Sequence, residues 1–167
     1  MKPADFLKTA EFLKDHKDEW HVRTSINRSY YGLFLHLRDF LSGQGIKVPT
    51  KSTHKFVLGC FHESRFFDDA KSKSSKGIKK KNGKTKDKAI WGISKRLRSL
   101  LQARVDADYK LRLTIPPNDS KHNLQLATTA IQDFEKLRGS DREKHIVKVA
   151  NEQEKLYRAP FNPHTTP

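Results

Sequence analysis

The chain has 167 residues, 35% hydrophobic and 32% charged, a size and composition that fit one domain around one core and exclude enforced disorder. No run approaches the roughly 18 apolar residues of a membrane span, and Met1-Lys2-Pro3-Ala4-Asp5 leads into an amphipathic segment, so a cytoplasmic protein is expected. Cys60 is the only cysteine, which excludes a disulfide within the chain and a multi-cysteine zinc site, while a formal net charge of +15 points to a polyanionic partner, nucleic acid before an anionic lipid surface.

Helical periodicity predicts five main helices. The first spans about Ala4 to His16, with Phe6, Ala10 and Leu13 on one face. The second, about His21 to Leu41, has the clearest pattern. Val22, Ile26, Tyr30, Leu33, Leu37 and Leu41 form a stripe in steps of three and four, and Tyr31, Phe34, Leu35 and Phe40 widen it. A helix apolar on more than one side belongs at the centre of a bundle or in a shared interface. Gly43, Gly45 and Pro49 end it.

A third helix is expected from about Ser52 to Ser64, capped by Ser52 or Thr53, with Phe56, Cys60 and Phe61 inward. The neighbours Val57, Leu58 and Phe61 predict that the Cys60 thiol is buried. Residues 68–88 are rich in Lys, Ser and Gly and hold one large apolar residue, Ile78, which predicts a mobile loop. Between Lys71 and Lys88 lie nine lysines and one aspartate, a charge of +8 that leaves +7 on the rest of the chain.

The fourth helix runs from about Asp87 to Tyr109 on a stripe of Ile90, Ile93, Leu97, Leu100, Leu101 and Val105. Pro116-Pro117 breaks the chain, and Asn118, Asp119 or Ser120 is a candidate cap for a fifth helix to about Leu137, with Leu124, Ala127, Ile131 and Phe134 inward. Residues 140–157 are charged and have little to bury, reading as a short sixth helix or an arm, followed by a proline-rich tail from Ala159 to Pro167 that is expected to be disordered. The expected fold is an all-α, up-and-down bundle over residues 1–139 with a C-terminal helix or arm and tail over 140–167.

Three segments suggest a relationship. The second helix carries Arg28-Ser29-Tyr30-Tyr31-Gly32-Leu33-Phe34, the third opens with Thr53-His54-Lys55, and the fourth closes with Arg104-Val105-Asp106-Ala107-Asp108-Tyr109. In this order the segments resemble the HEPN family, whose corresponding helices often carry Arg-x-Tyr-Tyr-x-x-Phe, a His, and Arg-x-x-Ala-Asp-Tyr. The resemblance covers about Ala4 to Leu137. Many HEPN proteins are metal-independent ribonucleases in toxin–antitoxin, CRISPR-linked or antiviral systems, acting as homodimers and often beside a nucleotidyltransferase. An Arg-x(4–6)-His motif from each subunit meets in the cleft, where His moves the proton of the RNA 2′-hydroxyl and Arg stabilises phosphate charge. The resemblance thus implies RNA as substrate or partner, a homodimer, a defence-system protein as further partner, and no cofactor.

Arg28 lies about 200° round the helix from Ile26, on the face of Tyr31 and Leu35. An arginine among apolar neighbours needs an anion, either an internal carboxylate, Asp106 or Asp108, or a bound phosphate. Arg28 and His36 depart from the family spacing by one residue and sit about 80° apart. Arg138 with His145 and Arg158 with His164 fit the spacing, but outside the matching body and no more often than chance supplies.

The candidate catalytic residues are therefore Arg28 with a histidine from His36, His54 or His122. His54 opens a helix, and His122 follows the double proline near a helix start. Lys79, Lys80, Lys81, Lys84, Arg96 and Arg98 are candidate phosphate contacts, which would add affinity without base selectivity. Phe66 and Phe67 could stack on bases but read as core. No His pair at i,i+4 stands beside a carboxylate, so the spacing predicts no metal site. The alternative to a nuclease is a non-catalytic RNA-binding or regulatory bundle whose Arg28, Asp108 and Tyr109 are structural.

Overall fold

A computed structural model describes residues 2–67 and 87–158. Of the expected loop over 68–88, residues 68–86, including Lys79, Lys80, Lys81 and Lys84, lie outside the described residues, and Asp87 and Lys88 instead open a helix; the tail from Ala159 onward with His164 also lies outside them. The chain forms an all-α bundle of six helices among the described residues: α1 Pro3–Leu13, α2 Glu19–Gly43, α3 Thr53–Ser64, α4 Lys88–Tyr109, α5 Asn118–Glu135 and α6 Asp141–Arg158. None is long and apolar enough to cross a membrane.

The central element is α2, which packs on α1, α4 and α5 and touches α3. Its stripe of Val22, Ile26, Tyr30, Leu33, Leu37 and Leu41 is buried throughout. Each fully buried leucine contributes about 1.5–3 kcal/mol relative to an exposed one. The main core joins Tyr30, Leu33, Leu37 and Leu41 to Phe56, Cys60 and Phe61 of α3, Ile90, Ile93, Leu97 and Leu100 of α4, and Ala127 and Phe134 of α5, while Val22 and Ile26 form a second cluster with Ala107 and Ile115. Leu101, Val105 and Ile131, expected inward, are only partly buried. Cys60 is fully buried as expected, and burial pushes its thiol up to about 12.

A second face of α2 is built from small residues. Ser25 Oγ donates to Ala10 O at 3.1 Å, Ser29 Oγ returns to Ser25 O, and Gly32 admits the Leu7 side chain. A Cβ on Gly32 would meet Leu7 Cδ2 at 2.5 Å and Cγ at 2.7 Å, closer than real contacts allow. The steps from Ser25 to Ser29 to Gly32 therefore cut the groove that seats α1.

The ends of the helices depart from the expected capping. Neither Ser52 nor Thr53 caps α3 with its side chain. Ser52 takes a left-handed backbone (φ 67°), and Thr53 Oγ1 donates back to Pro49 O and Thr50 O. For α5 the capping position falls on Pro117, which has no side-chain acceptor, so Asn118, Asp119 and Ser120 lie inside the helix. Ser120 Oγ instead donates to Lys14 O at 2.8 Å and ties α5 to the end of α1. By contrast Asp87 is a full cap of α4, accepting from Ala89 N–H and Ile90 N–H at 3.0 Å while pairing with Arg142 of α6 at 2.8 Å. Residues 141–158 form a packed helix, α6, which lies on α3 and contributes Ile146 and Ala150 to the core.

Candidate RNA-binding and catalytic site

His54 occupies the second position of α3, and the turn before it aims the ring at α2. The imidazole stacks on Phe34 with centroids 4.2 Å apart at 17°, and meets Tyr31 edge-on at 6.0 Å. Its Nδ1 lies 2.5 Å from the hydroxyl of fully buried Tyr30. Burial raises the Tyr30 phenol well above its ordinary range, with Tyr31 adding to the effect, so it stays neutral and its O–H is free to donate or accept. A neutral phenol therefore serves either imidazole tautomer. Burial, and then the positive charge of Arg104, lower the His54 pKa. The ring is consequently held neutral at pH 7, with Nε2 unpartnered among the described residues.

Arg104 of α4 stands behind this ring. Its guanidinium carbon is 5.6 Å from the Tyr31 centroid and 5.3 Å from that of Tyr109, and its Nε is 2.7 Å from Asp108 Oδ2. Asn27 Nδ2 donates to both Asp108 oxygens at 3.1 and 3.0 Å. The carboxylate thus links α4 to α2 through Asn27 and pairs with Arg104 one turn earlier on its own helix. Of the two anions open to Arg28, the internal carboxylate is not the one found: Asp108 is taken by Arg104 and Asn27, and Asp106 by Lys110 at 2.7 Å and Gln102 at 2.9 Å. Arg28 rests over Phe6 at 5.3 Å, with Phe6 against Tyr31 at 6.0 Å, and no carboxylate pairs with it among the described residues.

Two shallow depressions flank His54 and share His54 and Lys55 in their walls. One, about 490 Å³, continues over Leu58, Gly59, His62, Arg98 and Leu101. The other, about 540 Å³, runs past Tyr31, Phe34 and Arg38 to Thr50, Ser52 and Thr53. No carboxylate lines either depression among the described residues. Arg98 donates to His62 Nδ1 at 2.9 Å, which leaves the His62 proton on Nε2, 3.9 Å from Glu63 Oε1. Lys55 is exposed. One depression is floored by Tyr31 and Phe34 and the other by Leu58 and Leu101, and both carry cations at the rim, an arrangement suited to an anion carried on a planar or flexible ligand.

The other candidates are dispersed. His36 faces α5, with Nε2 2.9 Å from Glu135 Oε1 and its ring edge-on to Phe134. Arg28 faces α1, so the structure does not bring these two together within one chain. His122 is exposed on α5, away from the His54 wall residues. Arg96 is held by Asp133 at 2.8 Å, while Arg98 reaches the site. Arg138 pairs with Glu143 and sits over Phe40, and His145 packs beside Phe67. Phe67 is partly buried against the core, and Phe66 lies under Arg65 at 4.2 Å. The sequence reading missed the Tyr30 hydroxyl, Lys55 and Arg104 as parts of the site. Arg104–Asp108 at i,i+4 was the available signal.

No family model, no curated protein and no solved structure matches the chain.

Proposed function

We propose that this chain is an RNA-binding protein of HEPN type that cleaves RNA without a metal ion, using His54 as its proton-transfer group. The observation that carries the reading is His54 itself, fixed by Tyr30 and Phe34 between two depressions that no carboxylate lines among the described residues. A phosphodiester seated on Lys55 and Arg98 would lie beside the imidazole. A neutral His54 with Nε2 unprotonated takes the 2′-hydroxyl proton. The attacking 2′-oxygen then displaces the 5′-oxygen of the next nucleotide, which takes a proton from water and leaves as a hydroxyl, giving a cyclic phosphate. The cations offset charge gathering on the phosphate oxygens. Arg28 supplies the same service from the partner in a homodimer whose cleft is lined by α2. The resemblance to a family found in defence systems makes a second protein of such a system a further partner.

One observation favours a binding module without catalysis. Arg28 and His36, the pair nearest to the family motif, turn to α1 and α5 respectively. The two readings separate on a denaturing gel of labelled tRNA and single-stranded RNA incubated in EDTA with wild type, His54→Ala and Arg28→Ala proteins. Discrete fragments from wild type, absent with folded His54→Ala while a native gel still shows RNA bound, are the expected result. Intact RNA with wild type alongside a shifted native band would leave the binding module. Intact and unbound RNA would overturn both.

A further inference from the structure

The turn between α1 and α2 gathers a second group of titratable side chains. It lies about 14 Å along α2 from the Tyr30 region, at 1.5 Å per residue. One donor atom from each of His16, Asp18 and His21 lies within 4.8 Å of the others. Two features there are unusual. Asp18 occupies the N-cap position of α2, where an aspartate normally accepts from the first backbone N–H groups, yet its carboxylate makes no such bond. It lies instead 3.3 Å from His21 Nδ1. That nitrogen is buried and makes no hydrogen bond of acceptable geometry. The nitrogen and the carboxylate thus face each other at ion-pair distance without a hydrogen bond or a cap bond, and the His16 ring lies beside them.

We infer that His16, Asp18 and His21 form a binding site for one divalent transition-metal ion of the zinc class. Two imidazoles and one carboxylate are the donor set of three-ligand zinc sites, and borderline ions such as Zn²⁺ and Co²⁺ prefer them to an all-oxygen set. Tetrahedral zinc, with bonds of about 2.0–2.1 Å, needs its ligand atoms roughly 3.4 Å apart. The group is therefore slightly open, and His16 is the member that moves, since it is exposed in the turn after α1. Its ring now stacks on His21 at 4.2 Å, and coordination tilts it out of that stack. His21 is held more firmly, with Trp20 stacked on it at 3.4 Å. The other nearby carboxylates are engaged: Asp15 with Lys14 and Lys121, and Glu19 with Arg23. Three protein ligands leave the fourth position open to water or to another ligand. Because His16 and Asp18 sit in the connection and His21 in α2, the bound ion clamps the α1–α2 turn.

Untagged, chelator-stripped protein titrated with Zn²⁺ against a chromophoric chelator tests the inference, with Co²⁺ absorption reporting geometry. One zinc per chain is expected, with affinity at least tenfold lower in His16→Ala and in Asp18→Asn. Both variants alter exposed side chains, and circular dichroism confirms that they fold. His122→Ala and His62→Ala should bind as wild type does. Absence of zinc binding by wild type would reduce the cluster to a His21–Asp18 ion pair and overturn the inference. So would affinity unchanged in His16→Ala and Asp18→Asn, or lost instead in His62→Ala. Because the cleavage assay runs in EDTA, its outcome is independent of this one.

Discussion

His54 titrates in two fields at once, desolvation against Phe34 and Tyr31 and the positive charge of Arg104, and both favour the neutral ring. Removing Arg104 removes only the second. Arg104→Gln should therefore move the His54 pKa up part of the way toward its ordinary value of about 6.5 and no further, because the burial remains. The imidazole proton resonances followed by NMR against pH give the answer directly. A titration unmoved by the substitution would mean that solvent screens Arg104 from the ring. The sign for stability follows. Between the lowered folded value and about 6.5 the unfolded chain binds more protons, so stability rises with pH across that window and the effect is complete above it. In Arg104→Gln this rise should be shallower. At this scale the site was half legible. His54 stood out as a helix-opening histidine, and Arg104 to Asp108 is an i,i+4 spacing. Spacing leaves Arg28 open to Asp106, Asp108 or a phosphate, and does not reveal that Asp108 is met by Arg104 of its own helix and by Asn27 from α2. Tyr30 read as core, and it is core, except for the one oxygen that meets the imidazole.

The helices themselves were legible because α2 and α4 repeat apolar residues at a period that a helix must bury on one side. Their ends were less so, since caps are decided by contacts from elsewhere in the chain. Arg23 is the clearest instance. From the second turn of α2 it donates to Ala107 O at 2.5 Å, Leu113 O at 2.6 Å, Lys110 O at 3.3 Å and Asp106 O at 3.4 Å, and it pairs with Glu19. It therefore serves carbonyls at the end of α4 and in the segment after it, and sets a cation against the negative end of that helix. The residues joined lie as many as 90 positions apart, so no local pattern could reveal it. The groove for α1 was missed for another reason: Ser25, Ser29 and Gly32 carry no hydrophobic signal, and their small size is the signal. Arg23→Met keeps the aliphatic stem and deletes the donors. It should cost about 2 kcal/mol from charge-assisted bonds and the helix dipole. For a domain of this size that is a fall in Tm of roughly 4–8 °C, measurable by calorimetry. Glu19→Gln, which weakens only the exposed pair, should cost less than about 1 kcal/mol. Equal losses in the two variants would place the contribution in the surface pair and deny the cap.

At the scale of the molecule, the charge is divided between a described bundle and a lysine-rich segment of +8. The bundle alone supplies cations, Lys55 and Arg98, around His54, and no carboxylate lines the depressions there among the described residues. If both surfaces lie along one RNA path, each releases counterions on binding and each steepens the dependence of affinity on salt. For single strands the slope of log affinity against log salt changes by about 0.7 per phosphate contact. Replacing Lys79, Lys80 and Lys81 together by Ala should then flatten the slope by about 2, and replacing Lys55 and Arg98 by about 1.4. The five-fold variant should show the sum. Binding curves at four or five salt concentrations, taken in EDTA with the His54→Ala background so that RNA stays intact, measure all three. Additive slopes place the segment and the depressions on a common track. A slope altered by the lysines alone would move the RNA off the bundle, and with it the reason for assigning chemistry to His54. A slope altered by Lys55 and Arg98 alone would confine the RNA to the His54 depressions and leave the lysine-rich segment without a part in binding.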